Sequence, residues 1–112
     1  MKLIIAYIQP ERLNAVKQSL YDAGVCKMSI TNALGCGQQR GYTESYRGVD
    51  VEVNLLKKIR MEVAVNEAFV KEAVDAIIAG ARTGNIGDGK IFVLSLEDVI
   101  RIRTGERGEA AI

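Results

Sequence analysis

The 112-residue chain has no histidine at all. That removes Ser–His triads, histidine general bases and most zinc sites from the possible chemistries. Cysteine is scarce, with Cys26 and Cys36 alone; on one extended segment they would stand about 33 Å apart, against the roughly 5–6 Å a disulfide requires. Two reduced thiols in a reducing compartment are therefore expected. Charge of one sign is also lacking. The 15 basic residues nearly cancel the 14 acidic ones, so no global field draws in nucleic acid or an acidic membrane. The apolar run Leu3 to Ile8 is too short to span a membrane and lacks the length and cleavage site of a signal peptide. A soluble, cytoplasmic protein is the default expectation.

What remains is a chain with room for one domain, residues 1–112, and 48% apolar residues from which to build a core. A domain of this size buries a modest share of its surface, which favours association with copies of itself. Leu3 to Ile8 reads as a buried strand ended by Pro10, a residue suited to the first turn of a helix. Leu13, Val16 and Leu20 follow at helical spacing, Gly24 is a natural stop, and Val25 to Leu34 turns strand-like. The pattern then recurs. Ile59, Met61, Val63 and Val65 alternate with polar or small residues, Asn66 is placed to cap a helix, and Val70, Ala73, Val74, Ile77 and Ile78 form its apolar stripe. Ile91 to Leu94 supplies a fourth strand. Two βαβ units in tandem predict an α+β, ferredoxin-like sandwich of four antiparallel strands with two helices on one face. Strand 1 is apolar on both sides, so the other face needs a cover, and oligomerisation through the sheet is the simplest one.

The segment from about Gly37 to Leu56 fits neither half. It is polar, punctuated by glycine and about 20 residues long, longer than most loops that lack their own structure. Tyr46 and Arg47, beside Gly48, are residue types that often anchor partners; a β-hairpin extension without a partner is the plainer alternative.

Chemistry concentrates in Thr83-Gly84-Asn85-Ile86-Gly87-Asp88-Gly89-Lys90. Its glycines let backbone N–H groups converge on an anion, and Lys90 adds charge. The spacing imitates a P-loop but fails it, because Ile91 cannot bind magnesium and a strand follows where a helix is needed. Arg101-Ile102-Arg103, if extended, would project two guanidiniums from one face with Ile102 buried on the other. Glu62 and Asp88 are candidates for an acid–base pair, though nothing in the sequence places them together. The residues alone leave open a small ATPase using the glycine-rich turn, although no well-placed base is visible. They also leave open an RNA-binding ferredoxin-like module, although its sheet would need stacking aromatics and the chain has only Phe69 and Phe92 as phenylalanines.

The string TGNIGDGKIFVLSL and the following RIRTGE resemble the C-terminal signature of the PII signal-transduction family, and the likeness runs the whole length, through GCGQQRGYTESYRG to Ile112. The resemblance implies no enzyme but a homotrimeric regulator of nitrogen, carbon and energy status, with ATP and ADP competing for clefts between subunits. By that likeness Gly87, Asp88, Gly89 and Lys90 cradle phosphate, with Gly37 and Gln38 close by. Arg101, Ile102 and Arg103 come from the neighbouring subunit, and Ser29 and Ala64 lie near the adenine and ribose. Mg2+ would bind with ATP and 2-oxoglutarate through Gln39. The 2-oxoglutarate site would comprise Gln39, Gly41 and Lys58, and an amide oxygen and an ammonium suit those roles. Tyr46 and Arg47 would carry the loop to an ammonium transporter or a nitrogen-assimilation enzyme. There are departures. Val51 stands where many bacterial members have a uridylylated tyrosine, and Val49 where some cyanobacterial members have a phosphorylated serine, so control by ligands alone is expected. Gln9 and Gln38 replace a common lysine and arginine, which bears on affinity and on the 2-oxoglutarate response. A relative that senses another adenylate, without that response, is the alternative.

Overall fold

The computed structural model describes residues 1–36 and 55–112 in full and the backbone of 42–46 and 49–53. Strand β1, Lys2–Ile8, leads through a 3-10 turn at Pro10–Arg12 into helix α1, Leu13–Asp22. Proline sits in the first turn, as its missing N–H allows, and Gly24 ends the helix at a φ of 83°. Strand β2 is Ser29–Gly35. It begins later than the expected Val25, for a local reason. Val25 is 7% exposed and its N–H donates to Leu20 O at 2.9 Å, so this stretch completes the helix end instead of pairing in a sheet.

The second half repeats the first: β5, Leu56–Val65, helix α2, Glu67–Ala81, and β6, Gly89–Ser95. The four strands run antiparallel in the order β2-β5-β1-β6, the arrangement expected of a ferredoxin-like double βαβ sandwich. Alternation decides the faces. Ile4, Ala6 and Ile8 of β1 and Ile59, Met61, Val63 and Val65 of β5 point to the helices and are buried with Val16, Leu20, Ala73 and Ile77. Leu3, Ile5 and Tyr7 point the other way, across from Ala64, Glu62 and Arg60 on β5 and from Leu94, Phe92 and Lys90 on β6. Neither α1 nor α2 lies on that face, and Phe92 and Leu94 keep about half of their surface exposed.

Between the halves, β3, Tyr42–Tyr46, pairs antiparallel with β4, Val49–Val53, as a separate two-stranded sheet. The segment thus has secondary structure of its own, a paired β-hairpin of the kind that the sequence left open. Its alternation of Val49, Val51 and Val53 with Asp50 and Glu52 is a strand period hidden by the polar composition.

Asn66 occupies the N-cap position of α2 but does not cap it with its side chain. Its amide donates instead to Glu109 O at 3.3 Å, drawing the C-terminal segment against the start of the helix.

Candidate functional site

The turn between α2 and β6 is shaped from within. The Asp88 carboxylate accepts hydrogen bonds from the N–H of Thr83 at 2.7 Å and of Gly84 at 2.8 Å, and from the Thr83 hydroxyl. These bonds, that of the Thr83 hydroxyl first, hold its carboxyl below the ordinary value. A carboxylate used this way is spent on the turn, and its backbone N–H is what Asp88 can offer an anion. Gly89 enters β6 at a φ of 111°, and a Cβ there would come within 1.7 Å of Tyr7 O. Only glycine fits so close to the neighbouring strand.

Two side chains converge on this turn from elsewhere in the chain. Lys58 of β5 donates its ammonium to Gly87 O at 2.9 Å, and the Gln9 amide donates to the same oxygen at 3.2 Å. Alternation puts Lys58 and Lys90 on the helix-free face of the sheet with Arg60. Arg60 is engaged locally, 2.9 Å from Glu62 and over the Tyr7 ring at 5.9 Å. Sequence reasoning assigned Arg60 no part in the site, and no local signal marks it; it singled out Thr83 with the glycine-rich string but not its bonds to Asp88.

Ser29 and Ala64 lie at the other end of the sheet. With Glu62, Leu3 and Met28 they line a cavity of about 490 Å³ that Val99, Ala111 and Ile112 close from the C-terminal segment. That segment is not the extended strand expected for Arg101 to Arg103. Gly105 N–H donates to Arg101 O at 2.7 Å and Ile100 bridges to Arg107, so residues 101–105 form a turn and Ile102 is 100% exposed instead of buried. The Arg101 guanidinium donates to Glu106 at 2.8 Å and to Ala110 O at 2.9 Å, while Arg103 is exposed. Glu62 and Asp88 form no pair: the first meets Arg60 and the second its own turn.

The expected site residues thus fall into two groups. Ala64 is level with Leu3 of β1, and Gly89 is level with Ile8. Five residues of strand separate these positions, about 17 Å at about 3.4 Å per residue. One chain brings Gly87, Asp88, Gly89, Lys90 and Lys58 together at one end, and Ser29, Ala64 and the arm bearing Arg101, Ile102 and Arg103 at the other. Gly37, Gln38, Gln39, Gly41 and Arg47 lie outside the described residues, and Tyr46 is described in backbone alone. Among the described residues no cluster of three carboxylate or cysteine side chains could hold a metal ion. Cys26 and Cys36 are free and exposed. None of the described helices is long and apolar enough to cross a membrane.

Comparison with known proteins places this geometry in context. The family model described as "Nitrogen regulatory protein P-II" matches residues 1–106. The chain is 48% identical over 112 residues to a nitrogen regulatory protein P-II of Rhodospirillum rubrum, covering all of both chains. It is 50% identical over 112 residues to one of Haemophilus influenzae, again covering both completely. Nitrogen regulatory protein GlnK1 of Methanosarcina mazei is 49% identical over 114 residues, which take in the whole of this chain and 97% of that one.

Proposed function

The chain belongs to the nitrogen regulatory protein P-II family, regulators rather than enzymes, and from that premise we propose that it senses adenine nucleotides in clefts between the copies of a homotrimer. The observation that carries this reading is the division of the expected site between opposite ends of the sheet. A second copy, set with its C-terminal arm against the glycine-rich turn of the first, would complete the site. In that cleft the N–H groups of Gly87 to Gly89 and the ammonium of Lys90 meet the phosphates of ATP or ADP. Arg101 and Arg103 of the neighbour neutralise them, and Ser29 and Ala64 border the ribose and base. Gly37 and Gln38 complete the rim, and Ile102 of the neighbour lies between its two arginines.

The same reading gives Lys58 a second role. Its ammonium rests on the Gly87 carbonyl, a neutral partner that a dicarboxylate such as 2-oxoglutarate would replace with a charged one. Gln39 would bind Mg2+ together with ATP, and Gly41 would offer its N–H to the effector. Ligands at the base of the segment would bias its conformation, and Tyr46 and Arg47 would present it to a cytoplasmic target, an ammonium transporter or a nitrogen-assimilation enzyme.

Calorimetry with ATP, ADP and AMP, each with and without Mg2+ and 2-oxoglutarate, tests the reading. Charge-assisted contacts are worth about 1.5–3 kcal/mol each, so Arg101→Ala with Arg103→Ala should weaken ATP and ADP about a hundredfold or more. Unchanged affinity in the folded double variant would put the site elsewhere. Heat from 2-oxoglutarate that appears only with Mg2+ and ATP, and vanishes in Lys58→Met, supports the effector site. Its absence from the wild type favours a sensor of adenylates alone.

A further inference from the structure

The Arg101 guanidinium is held at both of its terminal nitrogens. Its Nη1 donates to the Glu106 carboxylate at 2.8 Å and its Nη2 to Ala110 O at 2.9 Å. The backbone doubles the link, since Arg101 N–H donates to Glu106 O at 2.9 Å. Of the five N–H groups on an arginine fork two are thereby used, and the side chain remains 32% exposed. The other N–H groups are left for something outside the arm. We propose that Glu106 is a positioning residue for nucleotide binding: it fixes Arg101 so that the free part of its fork meets a phosphate group. This rests on the reading that Arg101 contacts phosphate.

An unrestrained arginine loses side-chain freedom when it closes on a ligand, whereas one already held by a carboxylate and a carbonyl lost that freedom on folding. Glu106 also offsets part of the charge of Arg101, which works in the opposite direction. Orientation outweighs this, because the Glu106 side chain is 45% exposed and its charge is screened by water and salt. The two effects have opposite signs, so one measurement separates them.

The test measures ADP by calorimetry and adenosine by ligand-detected NMR, on the full chain carrying Glu106→Ala, Glu106→Gln, Arg101→Ala, or Arg101→Ala with Glu106→Ala. Glu106→Ala should weaken ADP about three- to tenfold, the cost of ordering one long side chain. Glu106→Gln, whose amide oxygen still accepts from Nη1, should recover most of that loss. In the Arg101→Ala background Glu106→Ala should add nothing. Adenosine should bind Glu106→Ala and Glu106→Gln like the wild type, because it carries no phosphate, while the cavity closed by Val99, Ala111 and Ile112 would report any collapse of the arm. If Arg101→Ala weakens ADP but Glu106→Ala leaves it unchanged or tightens it, the positioning role is overturned. Equal loss of ADP and adenosine in Glu106→Ala overturns it too, in favour of a purely structural part. If Arg101→Ala leaves ADP binding intact, the phosphate role of Arg101 fails and the proposal falls with it.

Discussion

In the turn that enters β6, the Asp88 carboxylate is met by the Thr83 hydroxyl, the N–H groups of Thr83 and Gly84 and, at longer range, the charge of Arg12, and its carboxyl is held below the ordinary 3.8. A carboxyl depressed on folding contributes stability that is present above its unfolded value and is lost as pH falls through the folded value. Asp88→Asn should therefore lower stability at neutral pH, with the gap to wild type closing as the medium is acidified below about pH 4. Urea unfolding across that range checks it; a gap that stays constant or widens in acid would show that the bonds to Thr83 and Gly84 are not specific to the charged form. Of this turn, the sequence discloses the glycines and Lys90. It does not disclose that Asp88 serves the backbone, nor that Lys58 and Gln9 both reach Gly87 O, contacts that span 29 and 78 residues and leave no local pattern.

Between α1 and α2 the backbones come close at Gly80. A Cβ there would stand 2.7 Å from Val16 Cα and 2.9 Å from Ala15 O, backbone atoms that cannot swing aside. Alanine is the better helix former by about 1 kcal/mol, and overpacking costs about 1–3 kcal/mol, so Gly80→Ala is expected to destabilise by up to about 2 kcal/mol in spite of its propensity. A raised melting temperature would mean the helices are free to part. Elements with a strong period were legible: β5 and α2 show their buried faces in the spacing of Ile59 to Val65 and of Ala73 and Ile77, whereas β1, apolar on both sides, was legible as a strand but not in which side it buries. Those whose form is set by a distant or non-periodic partner were not. Val25 looks like strand but answers to Leu20, and Arg101 to Arg103 alternates like strand but is folded back by Glu106 and Gly105.

Across the whole molecule, the helix-free sheet face carries Leu3, Ile5, Phe92 and Leu94 around the Arg60–Glu62 pair. Apolar surface of this kind on a small domain marks a contact face. Light scattering should give the mass of three chains, and the melting temperature should rise with protein concentration, as mass action requires when association favours the folded form. Ile5→Asp, which leaves the helix-side core intact, should yield single chains; a wild type that stays monomeric at micromolar concentration would refute the assembly. The separation of the glycine-rich turn from the arginine arm has a genetic consequence as well. If every cleft is jointly owned, a chain crippled at Lys90 and a chain crippled at Arg101 each fail alone, yet mixing them by unfolding and refolding together creates some clefts whose two contributors are both sound. Recovered ADP binding in the mixture, absent from either parent, would be interallelic complementation inside one particle, and two damaged copies of the gene in one cell would regain part of a function that neither encodes.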